Sequence, residues 1–182
     1  MTLSEALKDV EIAFLQLEFA IKLLSFCELG NIEPSKFDTD HIVTLEPEPL
    51  HFPTGHFSDS DSINRAASIC VGLAFGASAL VLDKAFDIMG MKPNPEATDA
   101  AVRLRTLIYM VRCAYAHGLA DPRWEVRDRY VCTLNLSLDG IAMSLDLSRL
   151  NGESFEFEHI GGYLAWYRVR DAAVRVLCPA AA

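Results

Sequence analysis

The hydrophobic positions of the chain predict a mainly helical protein. Near the start, apolar side chains recur at steps of three and four residues, which indicates an amphipathic helix over about residues 4–28. The same period predicts helices over about 61–89, 95–118 and 163–177. The second of these helices is apolar on nearly all sides, so we expect it to be the central helix of the fold.

The period changes to two before the last predicted helix. Apolar and polar residues alternate over about 124–138, which is typical of a half-buried strand. Asp139-Gly140 is a hairpin-turn signal, and the segment over about 141–147 is expected to pair back. A third short piece could follow over about 155–160. The sequence therefore predicts a small antiparallel β-hairpin or meander over about 122–158.

Residues 31–60 follow neither period. This segment is rich in proline and in acidic residues, which predicts a loop insertion with no long helix. Short extended pieces, such as His41–Leu45, are compatible with it. The loop carries three histidines, His41, His51 and His56. Their spacing matches no standard ligand pattern, so we expect no metal site and no cofactor. We expect a single domain over 1–182.

Composition narrows the class of protein. The net charge is −9 and the sequence pI is about 4.9, which disfavours a general nucleic-acid binder. The five cysteines form no Cys-x-x-Cys pair, a pattern that predicts free thiols and a reducing cytoplasm. The start lacks the features of a signal peptide. The most apolar run, over 66–82, is short for a bilayer span and contains glycines, so we expect no membrane.

Arginines concentrate within residues 103–129, although the chain as a whole is acidic. The six arginines of this segment are Arg103, Arg105, Arg112, Arg123, Arg127 and Arg129. The same segment contains only three acidic residues, Asp121, Glu125 and Asp128. The segment could be a phosphate-binding patch, or its arginines could pair with the acidic loop over 31–60. The residues leave both interpretations open.

Arg112 and His117 are the leading candidates for chemistry. A guanidinium suits phosphate, and an imidazole titrates near neutral pH. Metal-free RNA cleavage requires a base for the ribose 2′-OH, an acid for the leaving 5′-oxygen and cations beside the phosphorane. Five residues span about 140° of an ideal helix, so the two side chains converge only if the helix end unwinds. The structural alternative is a surface arginine and a histidine at a helix C-terminus.

The spacing Arg-x-x-x-x-His near the end of a long helix resembles the signature of the HEPN superfamily. The flanking Ala116-His117-Gly118, Asp121-Pro122-Arg123-Trp124 and Ile160-Gly161-Gly162 resemble a subset of bacterial HEPN-like proteins. The resemblance implies a HEPN-type antiparallel helical bundle. It also implies a homodimer whose two motifs face each other, and a metal-independent endoribonuclease of toxin or defence type.

By this resemblance, Arg112 contacts phosphate and His117 transfers protons. Arg105, Tyr109 and Arg123 are expected to bind substrate. The third predicted helix, 95–118, is expected at or near the two-fold axis. RNA and a partner protein, such as an antitoxin or a regulator, are the other expected partners.

Two residues depart from the active members of that family. Cys113 follows the arginine where a polar Asn or His is common, and Leu119 stands where toxins with a nucleotidyltransferase antitoxin often have tyrosine. The first departure and the acidic net charge favour the alternative function, which is a non-catalytic HEPN module that binds RNA, a nucleotide or a protein partner. The second departure disfavours a nucleotidyltransferase antitoxin as the partner.

Overall fold

The computed structural model describes residues 1–44, 48–116, 118 and 121–179, and these residues are mainly helical, as predicted. The described α-helices are α1 (Leu3–Glu28), α2 (Pro34–Phe37), α3 (Ser60–Ile88), α4 (Ala100–Ala114) and α5 (Gly162–Leu177). The described strands are β1 (His41–Val43), β2 (Leu50–Phe52), β3 (Thr133–Leu138) and β4 (Ile141–Asp146). β1 pairs with β2 and β3 pairs with β4, in both cases antiparallel.

The chain divides into two compact units, and the boundaries fall inside the two longest helices. One unit comprises Met1–Phe14 together with Phe75–Ala182, and the other comprises Leu15–Ala74. The single domain over 1–182 stays a prediction.

In the unit Leu15–Ala74, an apolar cluster joins the second half of α1 to the first half of α3. Its buried members are Cys27, Ile63 and Ala67, and Leu23, Leu24, Ile32 and Phe57 pack against them. α3 begins at a side-chain cap, since Asp59 Oδ1 accepts the backbone N–H of Ser62 at 2.8 Å. That hydrogen bond lowers the pKa of Asp59.

The predicted loop insertion contains short ordered pieces and, in its described part, no long helix. Asp38 Oδ2 accepts the backbone N–H of Gly55 at 2.7 Å and that of Phe57 at 3.1 Å, which ties the two ends of the hairpin β1–β2 together. The extended piece predicted over His41–Leu45 is confirmed for His41–Val43, and Leu45 lies outside the described residues.

In the other unit, an aromatic cluster around Phe75 forms the core next to α4 and α5. The Phe75 ring centroid lies 4.9–5.6 Å from the rings of Trp166, Phe157, Phe155 and Tyr115. Trp166 is fully buried, and its indole N–H donates to Ser78 Oγ at 2.8 Å. The buried indole therefore has the hydrogen-bond partner that its desolvation requires.

α1, α3 and α5 lie within a residue of the predicted bounds, but α4 is shorter than predicted. The prediction of a start near Pro95-Glu96 is wrong, because Asp99 caps the helix by accepting the N–H groups of Ala101 and Val102. The helix ends at Ala114 rather than near residue 118. The chain therefore leaves the helical path only two residues after Arg112.

The hairpin at Asp139-Gly140 is confirmed, with both turn residues at positive φ as a type I′ turn requires. Two details of the predicted β element are wrong. β3 begins at Thr133 instead of near 124, because a 3₁₀ turn at Asp128–Tyr130 interrupts the extended chain. The third piece, Phe157–Ile160, is also a 3₁₀ turn.

α3 is long and apolar enough to cross a membrane when judged by length and composition alone. Half of its most apolar window is buried inside the protein, which is the behaviour of a core helix. The expected absence of a membrane span is compatible with this burial.

Candidate functional site

A cleft of about 310 Å³ lies beside the end of α4. We call it the α4 cleft, and its lining residues are Tyr109, Met110, Arg112, Cys113, Ala116, Glu125, Arg127, Asp128 and Tyr130. One wall is the last turn of α4, and the opposite wall is the irregular segment before β3. The lining mixes cations, acids and aromatic rings, so the cleft is largely polar.

Backbone hydrogen bonds hold the second wall against α4. The N–H of Arg123 donates to the carbonyl of Ala114 at 3.0 Å, which folds the chain back on the helix end. Trp124 is buried, and its indole N–H donates to Nδ1 of His159 at 3.0 Å. The backbone N–H of Glu156 donates to the same nitrogen at 3.1 Å. Nδ1 of His159 therefore accepts two N–H groups, and this side chain has a structural role.

Arg112 projects from the last turn of α4 into the cleft. Its side chain is 40% exposed, and its Nε lies 4.0 Å from Oδ2 of Asp83. A cation in this position is favoured by the helix dipole, because unsatisfied carbonyl groups give the C-terminal turn a partial negative charge. Asp83 lies beside one edge of the guanidinium, and the exposed part of the side chain remains accessible to an anion.

Arg105, a predicted substrate-binding residue, is buried under the cleft wall. It is 1% exposed, and its guanidinium forms ion pairs with Asp83 and with Asp87. Its Nε also donates to the carbonyl of Met91 at 3.1 Å. Burial raises the pKa of Asp83, and the neighbouring Arg105 opposes this effect. The Arg105 guanidinium is thus committed to internal partners and does not face solvent in this structure.

Tyr109 and Cys113 occupy neighbouring positions on the cleft side of α4. The hydrogen bond with the Cys113 thiol and partial burial raise the pKa of Tyr109 to about 12. Burial likewise raises the pKa of Cys113, so this thiol is not an activated nucleophile. The Tyr109 ring lies 5.4 Å from the ring of Tyr130, which gives the cleft an aromatic wall.

The turn that follows α4 is fixed by Tyr115, whose ring packs against Gly76 of α3. A Cβ atom added at Gly76 would lie 2.6 Å from the Tyr115 ring, so only glycine fits there. Burial raises the pKa of Tyr115, so its hydroxyl stays protonated.

The remaining predicted site residues lie apart from the cleft lining or outside the description. In the described part of the chain, Arg123 does not line the α4 cleft; it forms an ion pair with Asp121 at 2.8 Å and donates to the carbonyl of Gly152 at 3.2 Å. His117 lies outside the described residues. Arg112 and Tyr109 are the predicted site residues that share the cleft.

Arg127 belongs to the arginine-rich segment named as a possible phosphate-binding patch, but neither it nor Tyr130 was predicted as a site residue. Arg127 is an exposed cation of the cleft and forms an ion pair with Glu125. Tyr130 receives a cation–π contact from Arg129, whose Cζ lies 5.2 Å from the ring centroid. The signal that could have found them is the polar run at 127–129, which interrupts the apolar alternation before β3.

The described residues contain no group of three or more His, Cys, Asp or Glu side chains that could hold a metal ion. His41 and His56 line a separate cavity of about 380 Å³ beside the hairpin β1–β2. The Nε2 of His51 lies 3.9 Å from Asp40. Over the described part of the chain, the three loop histidines therefore do not converge on a shared ligand position.

Comparison with protein-family models, with curated proteins and with solved structures finds no match to this chain. The functional assignment therefore rests on the chemistry of the α4 cleft and on the sequence motif.

Proposed function

We propose that this chain is a HEPN-like protein that binds RNA in the α4 cleft and cleaves it as a metal-independent endoribonuclease. The observation that carries the proposal is that Arg112 and Arg127 line the same cleft as Tyr109 and Tyr130. Arginine forks bind phosphate oxygens, and aromatic rings stack on unpaired bases. A cleft that offers both to one ligand fits single-stranded RNA.

The proposed chemistry is an internal transfer of the phosphodiester. The ribose 2′-oxygen attacks the phosphorus, a 2′-O–P bond forms and the P–O5′ bond breaks. One imidazole removes the proton of the 2′-OH, and another protonates the leaving 5′-oxygen. Arg112 stabilises the added negative charge of the phosphorane. His117 follows Ala116, a cleft residue, directly in the sequence, and two copies of the chain would supply the two imidazoles.

A non-catalytic binding module is the second candidate, and the acids of the site favour it. Arg112 lies near Asp83, and Arg127 is paired with Glu125. Part of the positive charge is therefore neutralised within the protein itself. The module would bind RNA, a nucleotide or an acidic partner segment without cleaving it.

The test is an RNA cleavage assay in the presence of EDTA, with product ends analysed for 2′,3′-cyclic phosphate. We expect cleavage by the wild type, and a loss of roughly two to four orders of magnitude in rate for His117→Ala and for Arg112→Ala. Arg149→Ala is the matched control, since this arginine is 86% exposed and lies outside the cleft lining. It should leave the rate unchanged.

The thermal unfolding of each variant separates chemistry from stability. Activity lost by Arg112→Ala at an unchanged unfolding midpoint supports the cleft. RNA that is bound in a salt-dependent way but never cut supports the binding module. If Arg149→Ala and Arg112→Ala have equal effects, the α4 cleft is not the site.

A further inference from the structure

The outer face of α1 carries a row of large apolar side chains that are exposed to solvent. Its members on the helix, with one lysine among them, are Ile12, Leu15, Phe19, Lys22 and Phe26; together with Leu29, which directly follows the helix, we call them the α1 seam. The apolar members are between 51% and 75% exposed. Successive positions are separated alternately by three and four residues, which is the spacing of the a and d positions of a coiled coil.

The α1 seam is the face of α1 that stays exposed when the described residues pack together. Leu23, Leu24 and Cys27 occupy other positions around α1 and pack in the cluster around Ile63 and Ala67. Single exposed apolar residues are ordinary on protein surfaces, but a continuous row about 25 Å long marks an interaction surface.

We propose that the α1 seam binds the α1 seam of a second copy of this chain, with the two helices antiparallel. In one register, Ile12 faces Leu29 of the other copy, Leu15 faces Phe26 and Phe19 faces Lys22. In every pair the two residue numbers add up to the same total. A two-fold axis therefore repeats the three pairs on its other side. Every layer then joins an a position to a d position, which is the layer pattern of antiparallel coiled coils.

The single lysine decides the direction of the two helices. A parallel pair would place Lys22 against Lys22 of the other copy, and like charges in one layer repel. In the antiparallel pair, the Lys22 ammonium meets the Phe19 ring, a favourable cation–π contact. Glu18, which forms an ion pair with Lys22 on the same helix, would lie opposite Ser25 instead of another acid.

The α1 seam shares no residue with the α4 cleft, so the proposed dimer does not depend on the proposed function. None of the large apolar side chains that are exposed in the described part of the chain lies on α4. The dimer through α1 therefore differs from the two-fold contact at 95–118 that the family resemblance implies.

The first test is sedimentation equilibrium of the full chain at micromolar concentration. We expect the wild type to self-associate, and the Kd of this association to be weaker by about tenfold or more for Phe19→Lys, which places a second ammonium beside Lys22 of the other copy. Leu164→Lys on α5 is the matched control, since Leu164 is 66% exposed and Phe19 is 68% exposed. It should leave the Kd unchanged, and both variants should keep the wild-type circular dichroism spectrum.

The second test fixes the direction of the helices by disulfide formation in a Cys70→Ser background. The antiparallel register predicts a cross-link between a Leu15→Cys chain and a Phe26→Cys chain. It predicts none between two Leu15→Cys chains, whose Cα atoms would lie about 16 Å apart along the axis, beyond the roughly 7 Å limit. A cross-link between two Leu15→Cys chains alone would overturn the antiparallel arrangement.

Two other results would overturn the proposal. One is a monomeric wild type, and the other is a dimer that Phe19→Lys does not weaken. If the monomer floats with phosphatidylcholine vesicles, the α1 seam belongs to a lipid surface instead.

Discussion

Replacing Arg105 by methionine tests whether the charges under the α4 cleft are a structural unit. The substitution keeps an unbranched apolar stem of similar reach and removes the guanidinium. Asp83, whose side chain is 10% exposed, then loses its closest cation. Asp87 is affected little, because its side chain is 62% exposed and water can replace the arginine.

The expected loss in the free energy of unfolding is about 3–5 kcal/mol, the usual effect of leaving one member of a buried ion pair without its partner. Arg112 still lies 4.0 Å from Asp83, so a value toward the lower end is expected. The double variant Arg105→Met with Asp83→Asn removes both charges and should recover part of the loss. Recovery distinguishes a buried charge from a simple packing defect.

The dependence on pH has a definite sign. Burial raises the pKa of Asp83 in the folded protein above its usual value of 3.8, and removing Arg105 raises it further. The folded state then binds the proton more tightly than the unfolded state, so acidification favours folding at this residue. The stability difference between wild type and Arg105→Met should therefore shrink from about pH 8 to about pH 5.

Urea unfolding followed by circular dichroism measures both quantities. The reasoning is refuted if Arg105→Met loses less than about 1 kcal/mol at the higher pH, which is the range of a surface pair. It is refuted equally if the difference grows on acidification.

The other predictions concern the two walls of the cleft. His159→Ala leaves the buried indole N–H of Trp124 without an acceptor and should lower the free energy of unfolding by about 1–3 kcal/mol. His159→Asn should lower it less, because the Asn Oδ1 can accept in place of Nδ1. Chemical denaturation of both variants measures the two free energies. Gly76→Ala should displace the Tyr115 ring and lower stability by about 1–3 kcal/mol; its RNA cleavage rate should fall even at temperatures where it is fully folded.

Much of the fold could be predicted from periodicity, because α1, α3 and α5 each carry an uninterrupted apolar pattern. The start of α4 could not, since Pro95-Glu96 and Asp99 both look like helix starts and only the local hydrogen bonds decide between them. The 3₁₀ turn at Asp128–Tyr130 could not be predicted from the sequence, because buried residues still alternate with exposed ones on both sides of it.

Of the predicted site residues, Arg112 and Tyr109 line the α4 cleft, and their roles there stay predictions. The burial of Arg105 was not foreseen, because it depends on Asp83 and Asp87 from another helix, and the sequence does not show which arginine meets them. The HEPN resemblance and the roles of Arg112 and His117 stay predictions.

The contact between Gly76 and Tyr115 has a consequence for the heritable variation that this protein can tolerate. The position has no titratable group and lies far along the chain from the Arg-x-x-x-x-His motif. Even so, every other residue type would bring a Cβ atom into the Tyr115 ring and disturb the turn after α4. A complete substitution scan scored by activity should therefore find Gly76 as intolerant as a residue that contacts the ligand, although it contacts none.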